Sequence, residues 1–201
     1  MSAGRFIVIE GPNAVGKTTI ATLLADKLRE AGERPVHATT EPTQTPLGRL
    51  LRSAEAVLTG RALALAIAAD RCHHIDTEVI PHVNDDVDVV CDRYLPSSMV
   101  LQRVDGLDMA EIMGYNAYCL PPDLTVYLDH DAEVIAQRLN GRARLSRLES
   151  TGTPQQELTF YAYARDYLDR EGWRQRLVDC RGRSPEAIVD EIIDLLGELE
   201  G

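Results

Sequence analysis

Phe6-Ile7-Val8-Ile9-Glu10-Gly11-Pro12-Asn13-Ala14-Val15-Gly16-Lys17-Thr18-Thr19 decides the reading of the whole chain. An apolar, β-branched run gives way to Gly-x-x-x-x-Gly-Lys-Thr, and Ile20-Ala21-Thr22-Leu23-Leu24-Ala25-Asp26-Lys27-Leu28 continues with helical spacing. A strand, a glycine loop and a helix in that order make a cradle for phosphate. Gly11 and Gly16 let the backbone curl with its N–H groups inward, and the following helix adds the positive end of its dipole. Lys17 can reach β- and γ-phosphates, and the Thr18 hydroxyl can ligate Mg²⁺. Residues Gly11, Pro12, Asn13, Ala14, Val15, Gly16, Lys17, Thr18 and Thr19 are therefore the expected site for a nucleoside triphosphate, with ATP and Mg²⁺ the expected pair.

Working outward, 201 residues suit one α/β domain over residues 1–201. The net charge of −11 argues against nucleic acid as a partner, since phosphate backbones reward basic surfaces. A small anionic substrate needs only local positive charge, and of 21 basic residues only Lys17 and Lys27 are lysines. No apolar run has the length of a membrane span and no charged-then-apolar leader opens the chain, so the expected location is cytoplasmic, away from membranes. Cys72, Cys91, Cys119 and Cys180 are scattered, which reads as reduced thiols. Neighbouring His73 and His74 point in different directions on a helix, which disfavours a shared metal.

Apolar runs alternate with helical stretches. Strands are expected at Arg5–Glu10, Pro35–Thr39, Val87–Cys91, Leu124–Leu128 and Arg176–Val178. Helices are expected at Lys17–Ala31, Leu47–Leu58, Arg61–His82, Met109–Tyr118, Ala132–Leu139, Pro154–Arg170 and Pro185–Leu199. This alternation predicts a parallel sheet covered by helices on both faces, with ligands at the carboxyl ends of the strands. The phosphate loop, Glu41 and Asp92-Arg93 then share one rim.

Asp92-Arg93 ends the third strand, so it delivers an acid suited to Mg²⁺ and a planar cation suited to phosphate beside the loop. Arg138, Arg142, Arg144 and Arg147 crowd ten residues of an otherwise acidic chain. Gly141 and Gly152-Thr153-Pro154 bracket most of that cluster, so residues 140–154 read as a short lid that brings guanidinium groups to a transferring phosphoryl group. Glu41-Pro42 follows the second strand, and Ala69-Asp70-Arg71 lies within the third helix, where Arg71 can point into a pocket.

The order of these motifs resembles the thymidylate kinase family, P-loop nucleoside-monophosphate kinases that phosphorylate dTMP. The resemblance runs from Phe6 to about Tyr167 and takes in the phosphate loop, Glu41–Gly48, Ala68–Arg71, Asp92-Arg93-Tyr94 with Ser97, Ser98 and Gln102, Pro122–Asp129 and Arg142–Glu149. It implies a three-layer fold with a five-stranded parallel sheet and a lid. Lys17 and Arg93 would hold the transferring and accepting phosphates, Thr18 and Asp92 the Mg²⁺, and Arg71 the pyrimidine base. Arg142, Arg144 and Arg147 would supply the catalytic arginine that the phosphate loop lacks at Ala14. Asn13, Glu41, Ile67, Tyr94, Ser98 and Gln102 would complete the acceptor pocket. Members are commonly homodimers, and the apolar stretch Ala62–Ala69 could serve that contact or simply pack in the core.

The departures cluster at that pocket. The family usually carries an acid where this chain has Asn13, an arginine at Thr40, a base-stacking phenylalanine at Ile67 and a tyrosine at Leu101. They keep two alternatives open: a kinase for a different or modified acceptor, and a nucleotide-binding protein without catalysis.

Overall fold

Phe6, Ile7, Val8 and Ile9 are all buried because β1 (Phe6–Glu10) runs through the middle of the sheet. The computed structural model describes residues 3–54, 57–141 and 152–199. β2 (Val36–Thr40), β3 (Asp88–Asp92), β4 (Leu124–Asp129) and β5 (Gln175–Asp179) join β1 in the order β2-β3-β1-β4-β5, all parallel. Period-two alternation gives β1 two apolar faces. Ile7 and Ile9 pack with Ile20 and Leu24 of α1 (Lys17–Ala31) and with Ile188 and Ile192 of α9 (Pro185–Gly197). Phe6 and Val8 face the other way, into Leu95 and Met99 of α5 (Leu95–Val104) and Leu168 of α8 (Pro154–Arg170). A strand buried on both faces is the expected signature of a sheet sandwiched between helix layers.

The parallel sheet and its five strands are as the sequence predicts, with shifts of one residue at the ends. Helix starts follow local chemistry: Thr153 and Ser184 cap α8 and α9 through backbone N–H groups at 3.2 and 3.3 Å, each with proline next in line. α7 (Ala132–Asn140) and α6 (Met109–Tyr115) occupy their predicted places, α6 ending three residues early.

Three departures have physical causes. The helix expected over Arg61–His82 is α3 (Gly60–His74), a π-helical turn (Ile75–Val79) and the short α4 (Ile80–Asn84). Pro81 has no N–H for the α ladder, and the chain meets it through a widened turn. The second helix, α2 (Pro46–Ala54), stops short of Leu58. α5 has no counterpart among the predicted helices, because Leu95-Pro96-Ser97-Ser98 has turn composition. Proline is nonetheless tolerated in a first helical turn, where its missing N–H costs nothing.

The loop after β2 is held from below. Asp70 on α3 accepts from Thr43 N and Thr43 Oγ1, both at 2.7 Å. α2 lies against it so closely that a Cβ on Gly48 would sit 2.1 Å from Thr43 O. Gly48→Ala is therefore expected to lower stability by about 1–3 kcal/mol through overpacking, read as a shifted midpoint in urea unfolding.

Candidate active site

At the carboxyl end of β1, Gly11 takes φ +139° and Gly16 φ +116°, conformations that side chains rarely adopt. A Cβ on Gly11 would also lie 2.6 Å from Leu128 O, so this position excludes a side chain twice over. The loop turns back into α1, whose first residue is Lys17. The Lys17 ammonium is buried and donates to Gly11 O at 2.6 Å and Pro12 O at 2.8 Å, folded onto the loop it serves. Burial, with Arg93 adding to it, pulls that ammonium down to about 7 against the opposing pull of Glu10 and Glu157.

Glu10 is the counterweight. Its fully buried carboxylate accepts from Tyr94 N at 2.7 Å, Ser97 N at 3.1 Å, Ser97 Oγ at 2.7 Å and the Tyr161 hydroxyl at 3.2 Å. Burial pushes its carboxyl up, and the nearby Lys17 ammonium pulls it back. These bonds fasten the start of α5 to the end of β1 and so aim Arg93 between them. Arg93 itself sits at φ +74°, with its N–H on Ile9 O at 3.1 Å and Nη2 on Asn13 Oδ1 at 2.7 Å. Asn13 N donates in turn to Glu157 Oε1 at 2.8 Å. Beside them the Thr18 hydroxyl donates to Asp92 Oδ2, while Asp92 Oδ1 is buried with no hydrogen-bond partner among the described residues.

A cavity of about 320 Å³ opens next to this cluster. Its wall collects Asn13, Thr18, Glu41, Ile67, Arg71, Asp92, Arg93, Tyr94 and Ser98, all expected from the sequence, together with the departures Thr40 and Leu101. On the wall Arg71 is buried and spoken for on one side: Nε donates to Glu41 Oε2 at 2.7 Å, Nη2 to Ser98 Oγ at 2.7 Å, and Nη1 to Asn116 Oδ1. Its guanidinium lies 5.2 Å over the Tyr94 ring, a cation–π distance.

Gln102 stands apart. It is wholly buried on α5 and does not line the cavity, and neither polar atom of its amide has a partner among the described residues. Ser98 and Leu101 take the cavity-facing positions of that helix instead. Arg142, Arg144 and Arg147, which the sequence places in a lid, lie outside the described residues. Arg138, just before them, donates to Ala14 O at 3.3 Å and Val15 O at 3.1 Å, so it braces the phosphate loop from α7. His73 is exposed and His74 buried, and no group of three His, Cys, Asp or Glu fit for a metal occurs among the described residues.

Sequence reasoning did not single out Glu10, Tyr161, Glu157 and Arg52. Glu10 had a signal, a charge closing an otherwise apolar strand. Arg52 donates to Thr43 O at 2.7 Å and to Pro42 O and lines the cavity from α2. Tyr161 and Glu157 lie on one face of α8, where sequence alone does not say what they meet.

A phosphate loop with its buried lysine, a second, half-buried cation one strand away and a cavity walled by that cation and by the loop's Asn13 and Thr18 suit the passing of phosphate between two nucleotides. The class is therefore a P-loop nucleoside-monophosphate kinase. Within it, the chain belongs to the thymidylate kinase family, whose profile matches residues 9–190. A thymidylate kinase of Thermomicrobium roseum is 37% identical over 201 aligned positions, covering 93% of this chain and 91% of that one. A probable thymidylate kinase of Pyrobaculum aerophilum is 32% identical, with 95% of each chain covered. The structure of a thymidylate kinase from Candida albicans superposes with a TM-score of 0.80 at 22% identity, over 100% of this chain and 94% of that one, a likeness of fold.

Because Glu10 balances Lys17 and Arg93 and satisfies four donors, Glu10→Leu is expected to cost about 3–5 kcal/mol, the penalty for stranding buried charge. Glu10→Gln, which keeps one acceptor, falls between it and the parent in denaturant midpoint.

Proposed function

We propose that this protein transfers the γ-phosphoryl group of ATP to the phosphate of dTMP, giving dTDP and ADP. The observation that carries the reading is the pairing of buried Lys17 in the phosphate loop with half-buried Arg93 on the cavity wall, two cations set for a donor and an acceptor phosphate. In this scheme a triphosphate over the loop draws Lys17 off the Gly11 and Pro12 carbonyls. Arg93, oriented by Asn13, grips the acceptor phosphate and holds it in line. Most of the rate enhancement then comes from positioning and charge neutralisation. Arg142, Arg144 and Arg147 of the lid are proposed to close over the transferring group.

Thr18 and Asp92 fit Mg²⁺. Asp92 Oδ1 is a buried carboxylate oxygen without a partner among the described residues, beside a hydroxyl, and Mg²⁺ favours one or two protein oxygens completed by phosphates and water. Bound there, the ion would neutralise charge on the donor phosphates.

Arg71 supports a keto pyrimidine. A guanidinium only donates, and the Nη hydrogens not given to Ser98 and Asn116 can meet a carbonyl oxygen but oppose the amino group of cytosine. Ile67 and Leu101 offer aliphatic contact to the ring where the sequence resemblance expects aromatic ones.

Purified protein with ATP and Mg²⁺ is expected to form ADP with dTMP, as a coupled ADP assay against a panel of monophosphates would record. dCMP should be poorer by roughly 10- to 100-fold in kcat/KM, the cost of a buried donor left unpaired. Turnover with another monophosphate and none with dTMP would refute the acceptor. Lys17→Ala should abolish turnover in the same assay. Chelation should also stop it, and Asp92→Asn should raise the Mg²⁺ concentration needed for half-maximal rate.

A further inference from the structure

Arg71 is aimed by Glu41, and Glu41 is itself aimed by something. Its carboxylate has two oxygens: Oε2 takes Arg71 Nε at 2.7 Å, and Oε1 faces His74 Nδ1 at 3.0 Å. His74 lies three residues after Arg71 on the same face of α3, with no solvent exposure. Beyond the ring, Nε2 is 2.9 Å from Thr39 Oγ1 on β2, and the Thr39 hydroxyl donates to Glu78 Oε2 at 3.1 Å. Glu78, on the π-helical turn, also faces His37 Nε2 at 3.1 Å and stands 3.8 Å from His74 Nε2.

Hydrogen counting along this chain favours one assignment. An ionised carboxylate only accepts, so His74 Nδ1 must donate to Glu41. The single Thr39 hydrogen is committed to Glu78; turned toward the ring it would set a hydroxyl lone pair against a carboxylate. With both carboxylates acting only as acceptors, the arrangement that satisfies every group has His74 Nε2 donating as well, with hydrogens on both ring nitrogens between Glu41 and Glu78.

We propose that His74 is a positioning residue for the acceptor base: a doubly donating ring that clamps Glu41 and, through Glu41, fixes the plane in which Arg71 presents its hydrogens to the cavity. The proposal rests on assigning the cavity to the acceptor. Without the ring, Glu41 Oε1 loses its buried donor and the carboxylate no longer has one orientation in which to hold Arg71.

Two measurements test it. In ¹⁵N-histidine NMR of the wild-type protein without substrate, the His74 ring is expected to show hydrogens on both nitrogens; one bare nitrogen overturns the clamp even if dTMP turns over normally. Two attached hydrogens sustain it even if the acceptor proves to be another monophosphate, so the clamp and the acceptor assignment fail separately. In steady-state kinetics, His74→Gln is expected to raise KM for dTMP by roughly tenfold or more. KM for ATP should be unchanged and the preference for dTMP over dCMP reduced. A folded variant with unaltered KM for dTMP, or with both KM values raised together, overturns it. Thr39→Val, at the half-buried outer end, should shift the dTMP KM in the same direction by less.

Discussion

Two cations, the buried Lys17 and the half-buried Arg93, act on one fully buried carboxylate, Glu10, and the rest of the site is arranged around that balance. Charges removed from water are costly unless paired and hydrogen-bonded. Glu10 satisfies the condition with donors from Tyr94, Ser97 and Tyr161, which belong to β3's exit, α5 and α8. The same bonds that make the charge tolerable therefore tie three elements to the end of β1. Asn13 and Glu157 extend the network to the loop itself. In the proposed scheme a phosphate arriving at the loop meets Arg93 already oriented by Asn13, and Lys17 has only to leave the Gly11 and Pro12 carbonyls.

A second buried ion group governs the far wall of the cavity. Arg71 and Glu41 repeat the arrangement of charge paired with opposite charge, His74 faces the second oxygen of Glu41, and Asp70 ties down the loop that carries Glu41 through Thr43. Both networks sit at the carboxyl ends of the strands on either side of Asp92, whose main-chain oxygen also receives the Glu41 N–H at 3.1 Å. The two networks are thus joined through β3, and a disturbance in one has a short physical route to the other.

Much of the fold could be read from residue order, because its signals are local. β1, α1 and α8 were legible from apolar periodicity, glycine punctuation and an N-terminal cap followed by proline. α5 was not, since its opening proline and serines carry the composition of a turn. The predicted continuous helix after Gly60 broke at its proline into a π turn and a short α4. Within the site, Lys17, Thr18, Asp92 and Arg93 announce themselves through motif spacing. Tyr161 and Glu157 had nothing to mark them, and Gln102 carried the motif yet lies off the cavity wall.

Residue order by itself determined the phosphate loop, the alternation of strand and helix, and the rim on which ligands sit. Glycine φ freedom, side-chain periodicity and strand-end placement act over a few residues and need no partner to be seen. Tertiary structure decided which charges meet. Thr18 reaches an oxygen 74 residues away, Asn13 one 144 away and Tyr161 one 151 away. Those pairings exist only because the order β2-β3-β1-β4-β5 sets the strand ends side by side under α8. Desolvation then makes each pairing obligatory, and neither the order nor the desolvation has a local signature in the chain.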